Sequence, residues 1–238
     1  MTITLLVAGL VMLFGALVQG VVGYGMNLVV APLLALTDPS LVPVPLLLIA
    51  MVHALLAVAR EHNHADWRGV GWAMIGRLPG IGLGVAAVAL LPQGPFSIAV
   101  ALSVLICVGL SLLSWRPSPT PRSLLVAGVA SGVLGTAAAI GGPPIALLYQ
   151  HHSGPTIRAT MAVYFALGTA ASLGGLALSG AVHAEPALRA AMLLPFLVAG
   201  FLLSNPLRRF IDGRWMRPAV LVVAVGSAAA LLLRGVLG

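Results

Sequence analysis

The chain of 238 residues is 60% hydrophobic and only 7% charged, with a mean hydropathy of +1.10. This excludes a soluble globular domain, which carries about a quarter charged residues to coat itself for water. The net charge of +7 comes from 12 arginines against five acids; on a soluble protein it would suggest nucleic acid, but beside long apolar runs arginines mark the cytoplasmic side of a membrane.

The first charged side chain is Asp38, so the opening stretch lacks the basic region of a secretory signal and reads as a retained span. Apolar runs follow at 3–36, 41–59, 69–91, 95–115, 123–149, 159–180, 187–204 and 216–236. At about 20 residues per helical crossing they predict roughly eight passes or their equivalent, an all-α polytopic membrane protein. Cys107 lies within the fourth run, which leaves no intrachain disulfide. Six runs have ordinary lengths. The first, as one helix, would measure about 50 Å against a hydrocarbon core of about 30 Å. The fifth is also long, and both carry helix breakers.

Those two runs repeat each other. Gly20-Val-Val-Gly-Tyr-Gly-Met-Asn-Leu-Val-Val-Ala-Pro32 aligns with Gly132-Val-Leu-Gly-Thr-Ala-Ala-Ala-Ile-Gly-Gly-Pro-Pro144 at a constant offset of 112, matching Gly20 with Gly132, Gly23 with Gly135 and Pro32 with Pro144. Leu78-Pro79 and Gly84 echo Leu194-Pro195 and Gly200 at an offset of 116. The predicted units are therefore residues 1–121 and 122–238. Paired interrupted segments in matching halves point to a transporter's binding site. The alternative reading is close helix packing through small residues, as in Gly128-x-x-x-Gly132 and Gly80-x-x-x-Gly84.

Charge selects the topology. With eight full crossings, the loop arginines divide six against five. If runs one and five instead enter, break and return, Arg60, Arg68, Arg116, Arg122, Arg158, Arg208, Arg209, Arg214 and Arg217 share one side, and only Arg189 and Arg234 face the other. The second arrangement obeys the positive-inside rule. Each half then crosses three times, so the halves are inverted, and both termini are expected outside the cytoplasm of a cell-membrane protein.

Irregular backbone at membrane depth needs protein or a water-filled cavity to satisfy it. Facing breaks near Gly23–Asn27 and Gly135–Gly142 would present half-helix N-termini, whose free N–H groups favour anions. The expected substrate-binding set is Gly23, Tyr24, Gly25, Asn27, Arg77, Ser131, Thr136, Gly141, Gly142 and Pro143. Within it Tyr24, Asn27, Ser131 and Thr136 are neutral donors, each equally readable as a packing residue. Arg77 lies about nine residues inside its span with no acid in any apolar run to pair with. An intramembrane arginine faces a cavity or ligand, or snorkels to an interface. All five acids, Asp38, Glu61, Asp66, Glu185 and Asp212, fall in loops, so no carboxylate relay for a coupling ion is apparent. His53 reads as a hydrogen-bonded packing histidine. His62-x-His64 and His151-His152 lack a fixed scaffold for a metal, and no metal or cofactor is expected. Gly20-x-x-Gly-x-Gly follows no strand and is not a nucleotide fingerprint.

Gly141-Gly-Pro-Pro-Ile-Ala-Leu-Leu-Tyr149, followed by Arg158-Ala-Thr160 and Tyr164-Phe165, resembles the second-half signature of the TauE/SafE permeases, and Gly20-Val-Val-Gly-Tyr-Gly ending in Pro32 is similar to that family's other glycine motif. The resemblance covers nearly the whole chain. Met26-Asn27 and Thr136-Ala-Ala-Ala139 depart from the family's glycine-rich pattern. The resemblance implies a permease for sulfite or a small organosulfonate. With an inside-negative potential, outward movement of one negative charge gains about 2.3 kcal/mol per 100 mV, so export needs no coupling ion. Expected partners are this anion, the bilayer and, as an open alternative, a second copy in a homodimer; nucleic acid is not expected. A membrane scaffold or a membrane-embedded enzyme are the competing readings, the latter lacking any span that pairs histidine with a carboxylate.

Overall fold

The computed structural model describes residues 3–112, 117–208 and 213–237, and helix is the regular secondary structure among them. The helices are α1 (Ile3–Val22), α2 (Met26–Thr37), a 3-10 turn (Pro39–Leu41), α3 (Val44–Arg60), α4 (Trp67–Leu90), α5 (Gln93–Leu112), α6 (Pro121–Ala138), α7 (Gly142–Tyr149), α8 (Gly154–Leu178), α9 (Ala184–Ala191), α10 (Leu194–Leu207) and α11 (Gly213–Leu237). Arg116, Arg209 and Asp212 lie outside the described residues, as do the side chains of Arg189, Arg214, Arg217 and Arg234. Within α1, α4, α6 and α8 lie apolar stretches of at least 18 residues, about 27 Å at 1.5 Å per residue and so long enough to cross a bilayer.

Helix starts follow local chemistry. Thr120 and Ser123 form a reciprocal capping box at α6, with Pro121 in its first turn. Ser153 caps α8 by accepting from Thr156 N–H, with Pro155 behind it. This cap starts α8 five residues before the apolar run, so Arg158 belongs to a helix rather than a loop. The predicted span 187–204 is two helices: the chain turns at Met192-Leu193 between α9 and α10, where Pro195 opens the new helix.

Both long runs break. The first does so at Gly23 (φ 98°) and Gly25 (φ 111°), left-handed conformations that glycine adopts freely. The second breaks at Ala139 (φ 60°), where a side chain makes this conformation unfavourable by roughly 1–2 kcal/mol. Gly135, the repeat partner of Gly23, stays helical within α6. The left-handed turn is therefore displaced along the chain between the two runs.

Helix α4 is inside out. Leu78 is 60% exposed and Ile75 and Leu83 are similarly bare, whereas the adjoining Arg77 is 2% exposed. Lipid replaces water as the neighbour of such apolar surface. The buried face meets α6 through glycines: an added methyl would lie 2.1 Å from Leu125 O at Gly76, 2.3 Å from Val129 O at Gly80 and 2.2 Å from Ala73 O at Gly128. The paired positions rise together along both chains, so α4 and α6 run parallel. The same relation joins α1 to α10, where Gly9 meets Phe196 and Gly20 meets Ser204. Further pairings are α3 with α8, α5 with α11, α2 with α11 and α5 with α7.

These contacts place the ends. Tyr149, ending α7, donates to Asp66 at the start of α4 (2.7 Å), and Asp66 N–H donates to Thr160 near the start of α8 (3.0 Å). Leu124, Val70 and Tyr149 share one buried cluster. Thus α7 returns to the face from which α6 departs, and Glu61 and Arg208 meet on that face. Gly235 near the end of α11 packs on Ile98 in the first turns of α5, which lie on the opposite face. Single cysteines at Ser118 and His151 are therefore expected to react with an impermeant thiol reagent from one side of the membrane, and one at Val182 from the other. Reaction of the first two from opposite sides would contradict the returning α7.

Candidate functional site

The two breaks meet. Asn27 Nδ2, in the first turn of α2, donates to the carbonyl of Ala139 at 2.7 Å. A carbonyl only accepts, so the amide is oriented with Oδ1 on the other side, and that buried atom has no partner. Together the breaks line a cavity of about 30 Å³, with Gly25, Asn27 and Leu28 from the first and Ala139, Ile140, Gly141, Gly142 and Pro143 from the second. Space of this size admits water. Leu47 and Ala50 of α3, Arg77 of α4, and Phe165 and Thr169 of α8 complete the wall with Gln19 and Gly135.

Arg77 supplies the charge. Nη1 donates to Ser131 Oγ at 3.2 Å and Nη2 to Ser172 Oγ at 3.3 Å, while the guanidinium carbon lies 5.0 Å from the centre of the Tyr164 ring. No carboxylate pairs with it among the described residues, and its buried Nε has no partner. Room for it exists because residues 135 and 168 are glycines: an added methyl would fall 2.9 Å from Nη2 at Gly135 and 2.5 Å from Cζ and Nε at Gly168. Desolvating a lone guanidinium is expensive unless an anion or dipoles compensate.

Ser131 orients this arginine and is itself saturated. Its proton goes to Gly141 O, and its oxygen accepts from Arg77 and from Tyr164 OH at 2.7 Å. It has nothing left to donate to a ligand. Thr136 bonds Ser172 at 2.9 Å and stands one layer behind the cavity. Gly23 lies against Arg158 at a neighbouring crevice, and Tyr24 packs beside Gly142 without lining the cavity. Of the sequence-derived set, Gly25, Asn27, Arg77, Gly141, Gly142 and Pro143 line the space directly.

Backbone donors are fewer than half-helix N-termini usually offer. Pro143 and Pro144 carry no N–H, so the first turn of α7 presents little beyond Gly142. At α2, Met26 N–H donates to Gln19 Oε1 at 3.2 Å. Gln19 Nε2 meets His53 Nδ1 at 3.2 Å, and His53 Nε2 meets Ala16 O at 3.3 Å. Because Ala16 O only accepts, the chain of bonds runs one way: His53 is neutral with its proton on Nε2 and holds Gln19, which holds the start of α2. Gln19, Phe165 and Thr169 are absent from the sequence-derived binding set; Phe165 figures only in the Tyr164-Phe165 motif. A polar residue at positions 19 and 169 of otherwise apolar runs, and the Tyr164-Phe165 motif, are the signals the sequence offers for them.

The fold and site define a multi-pass membrane protein with a buried arginine, facing no carboxylate among the described residues, beside two helix breaks. Residues 7–231 match the family profile "Sulfite exporter TauE/SafE", and the chain belongs to that family of transporters. It is 26% identical over 233 residues, 92% of this chain and 90% of its relative, to a Cupriavidus necator H16 protein described as "Probable sulfite/organosulfonate exporter TauE". No solved structure matches the chain significantly.

Replacing Gly168 by alanine is expected to expel the Arg77 guanidinium and destabilise the protein by about 1–3 kcal/mol. In an Arg77→Ala background the same substitution should be nearly neutral, since the clashing group is gone. Thermal melting of the four purified forms measures this coupling. Equal penalties in both backgrounds would show that Gly168 does not accommodate Arg77.

Proposed function

We infer that the chain exports sulfite or a small organosulfonate through a central site shared by the two breaks. One observation supports the reading: Arg77, buried and without a carboxylate partner among the described residues, lines the same cavity as both breaks. A guanidinium presents planar paired donors suited to an oxyanion. The curated relative's description supplies the substrate class. The direction follows from the membrane potential, which drives an anion outward at about 2.3 kcal/mol per 100 mV without a coupling ion.

The halves 1–121 and 122–238 act as inverted repeats in this reading. Two observations support it. The pairing of α4 with α6 mirrors that of α10 with α1, which correspond under the sequence offsets. Asn27 and Ala139, bonded to each other, are separated by 112 residues, the offset of the repeat itself. A residue that touches its own counterpart sits on the axis relating the two halves, where transporter sites form. The face bearing Arg60, Arg68, Arg122, Arg158 and Arg208 is cytoplasmic in this reading, by the positive-inside rule.

Proteoliposomes loaded with sulfite test the function. With a potassium diffusion potential, inside negative, and no sodium or proton gradient, sulfite efflux should exceed that of empty vesicles and grow with the potential. Arg77→Ala should reduce it at least about tenfold, the loss expected for a charge-assisted hydrogen bond, and Arg77→Lys should retain part, both with unchanged elution and melting. Absence of potential-driven efflux of sulfite and of organosulfonates from the folded wild type would overturn the assignment.

A further inference from the structure

A second cluster lies on the α3–α4 face. Glu61, immediately after α3, accepts from Arg158 Nε at 2.7 Å and Nη2 at 3.2 Å, and also pairs with Arg208 Nη1. Arg60 stands beside it, donating to Gly20 O at 2.8 Å and Ser204 Oγ at 3.0 Å and lying over the Phe201 ring at 4.2 Å. Its Nε is buried without a partner. Three guanidinium groups from three parts of the chain therefore surround one carboxylate.

This is an unbalanced arrangement. Burial alone would raise the Glu61 carboxyl, but the hydrogen bond from Arg158 and the charges of Arg158, Arg208 and Arg60 outweigh it and hold it below its ordinary range. The carboxylate is thus firmly ionised, and among the described residues of the cluster one negative charge meets three positive ones. Glu61 and Arg158 are only 15% and 19% exposed, so water compensates the excess charge poorly. The crevice they enclose, also lined by Ala57 and Gly23, shares Gln19 and Phe165 with the central cavity.

We propose that Arg60, Arg158 and Arg208 form a second oxyanion site at this mouth, which Glu61 occupies as an internal substitute ligand. A carboxylate and a sulfite or sulfonate group present similar oxygen pairs to a guanidinium fork. An anion arriving at this face displaces Glu61, takes its place on Arg158 and Arg208, and waits there until Gln19 and Phe165 move aside. Gly23 couples the mouth to the first break, since a methyl on it would lie 3.1 Å from Arg158 Cα. Glu61 also bars the path when no anion is present. The anion class rests on the permease reading above.

The test is sulfite titration calorimetry on the full chain in detergent. Glu61→Gln keeps the shape and removes the competing charge. It should add a second, salt-sensitive equivalent of bound sulfite, or tighten binding at least about tenfold. Adding Arg158→Ala should abolish this gain, whereas adding Arg77→Ala should remove only the central equivalent. A folded Glu61→Gln protein that binds sulfite as the wild type does would overturn the internal ligand, even if Arg77→Ala abolishes wild-type binding and so upholds the central site. A gain that depends on Arg158 in a protein whose wild type binds none would uphold the mouth and overturn the central site. Should Glu61→Gln fail to fold, Ala57→Cys in otherwise wild-type protein decides. Methanesulfonate, an oxyanion that does not react with thiosulfonates as sulfite does, should slow its modification by a negatively charged methanethiosulfonate, and unchanged modification would overturn the proposal.

Discussion

Backbone groups released inside a bilayer have no water to turn to, and each one left unpaired costs several kcal/mol. The rest of this structure is arranged around that constraint at two breaks. Asn27 covers the carbonyl of Ala139, Ser131 covers that of Gly141, Gln19 covers the amide of Met26, and Arg60 covers the carbonyl of Gly20. Each break is thus satisfied partly by side chains from elsewhere, and Asn27 ties one break to the other. Without Asn27, the carbonyl released at Ala139 would lose its side-chain donor.

The same constraint explains the glycine-lined seam between α4 and α6. Lipid offers helices no hydrophobic reason to associate, so contact must come from close approach and fixed dipoles. Glycines at 76, 80, 84, 128 and 132 bring the two backbones together, and that proximity carries Arg77 to Ser131. Gly168 then clears the volume the guanidinium fills. A charge at membrane depth is held by two hydroxyls in space left by two glycines, with no carboxylate beside it among the described residues.

Much of the fold was legible in the sequence because membrane helices announce themselves by length. The paired breaks were visible from Gly20–Pro32 and Gly132–Pro144, and Arg77 stood out as a charge within an apolar run. The division of residues 187–204 into α9 and α10 was not read, since Met192-Leu193 is as apolar as its surroundings and only the turn before Pro195 marks it. Hydropathy alone puts Arg158 in a loop, whereas the Ser153 cap sets the helix boundary. Matched glycines did not imply matched roles: Gly23 turns the chain, whereas Gly135 makes space for Arg77. Ser131 and Thr136 were identified as donors, yet composition cannot show that their hydrogen bonds are already committed. Gln19 and Phe165 depend on which side of a helix faces the cavity, and a run apolar on every face carries little such information.

Anomalous diffraction from crystals grown with selenite, the heavier analogue of sulfite, would locate the anion most directly. A peak within hydrogen-bonding reach of Arg77, between residues 25–27 and 141–142, is expected if both halves build one site. Selenite bound only at the α3–α4 mouth, or against one half alone, would contradict a shared central site.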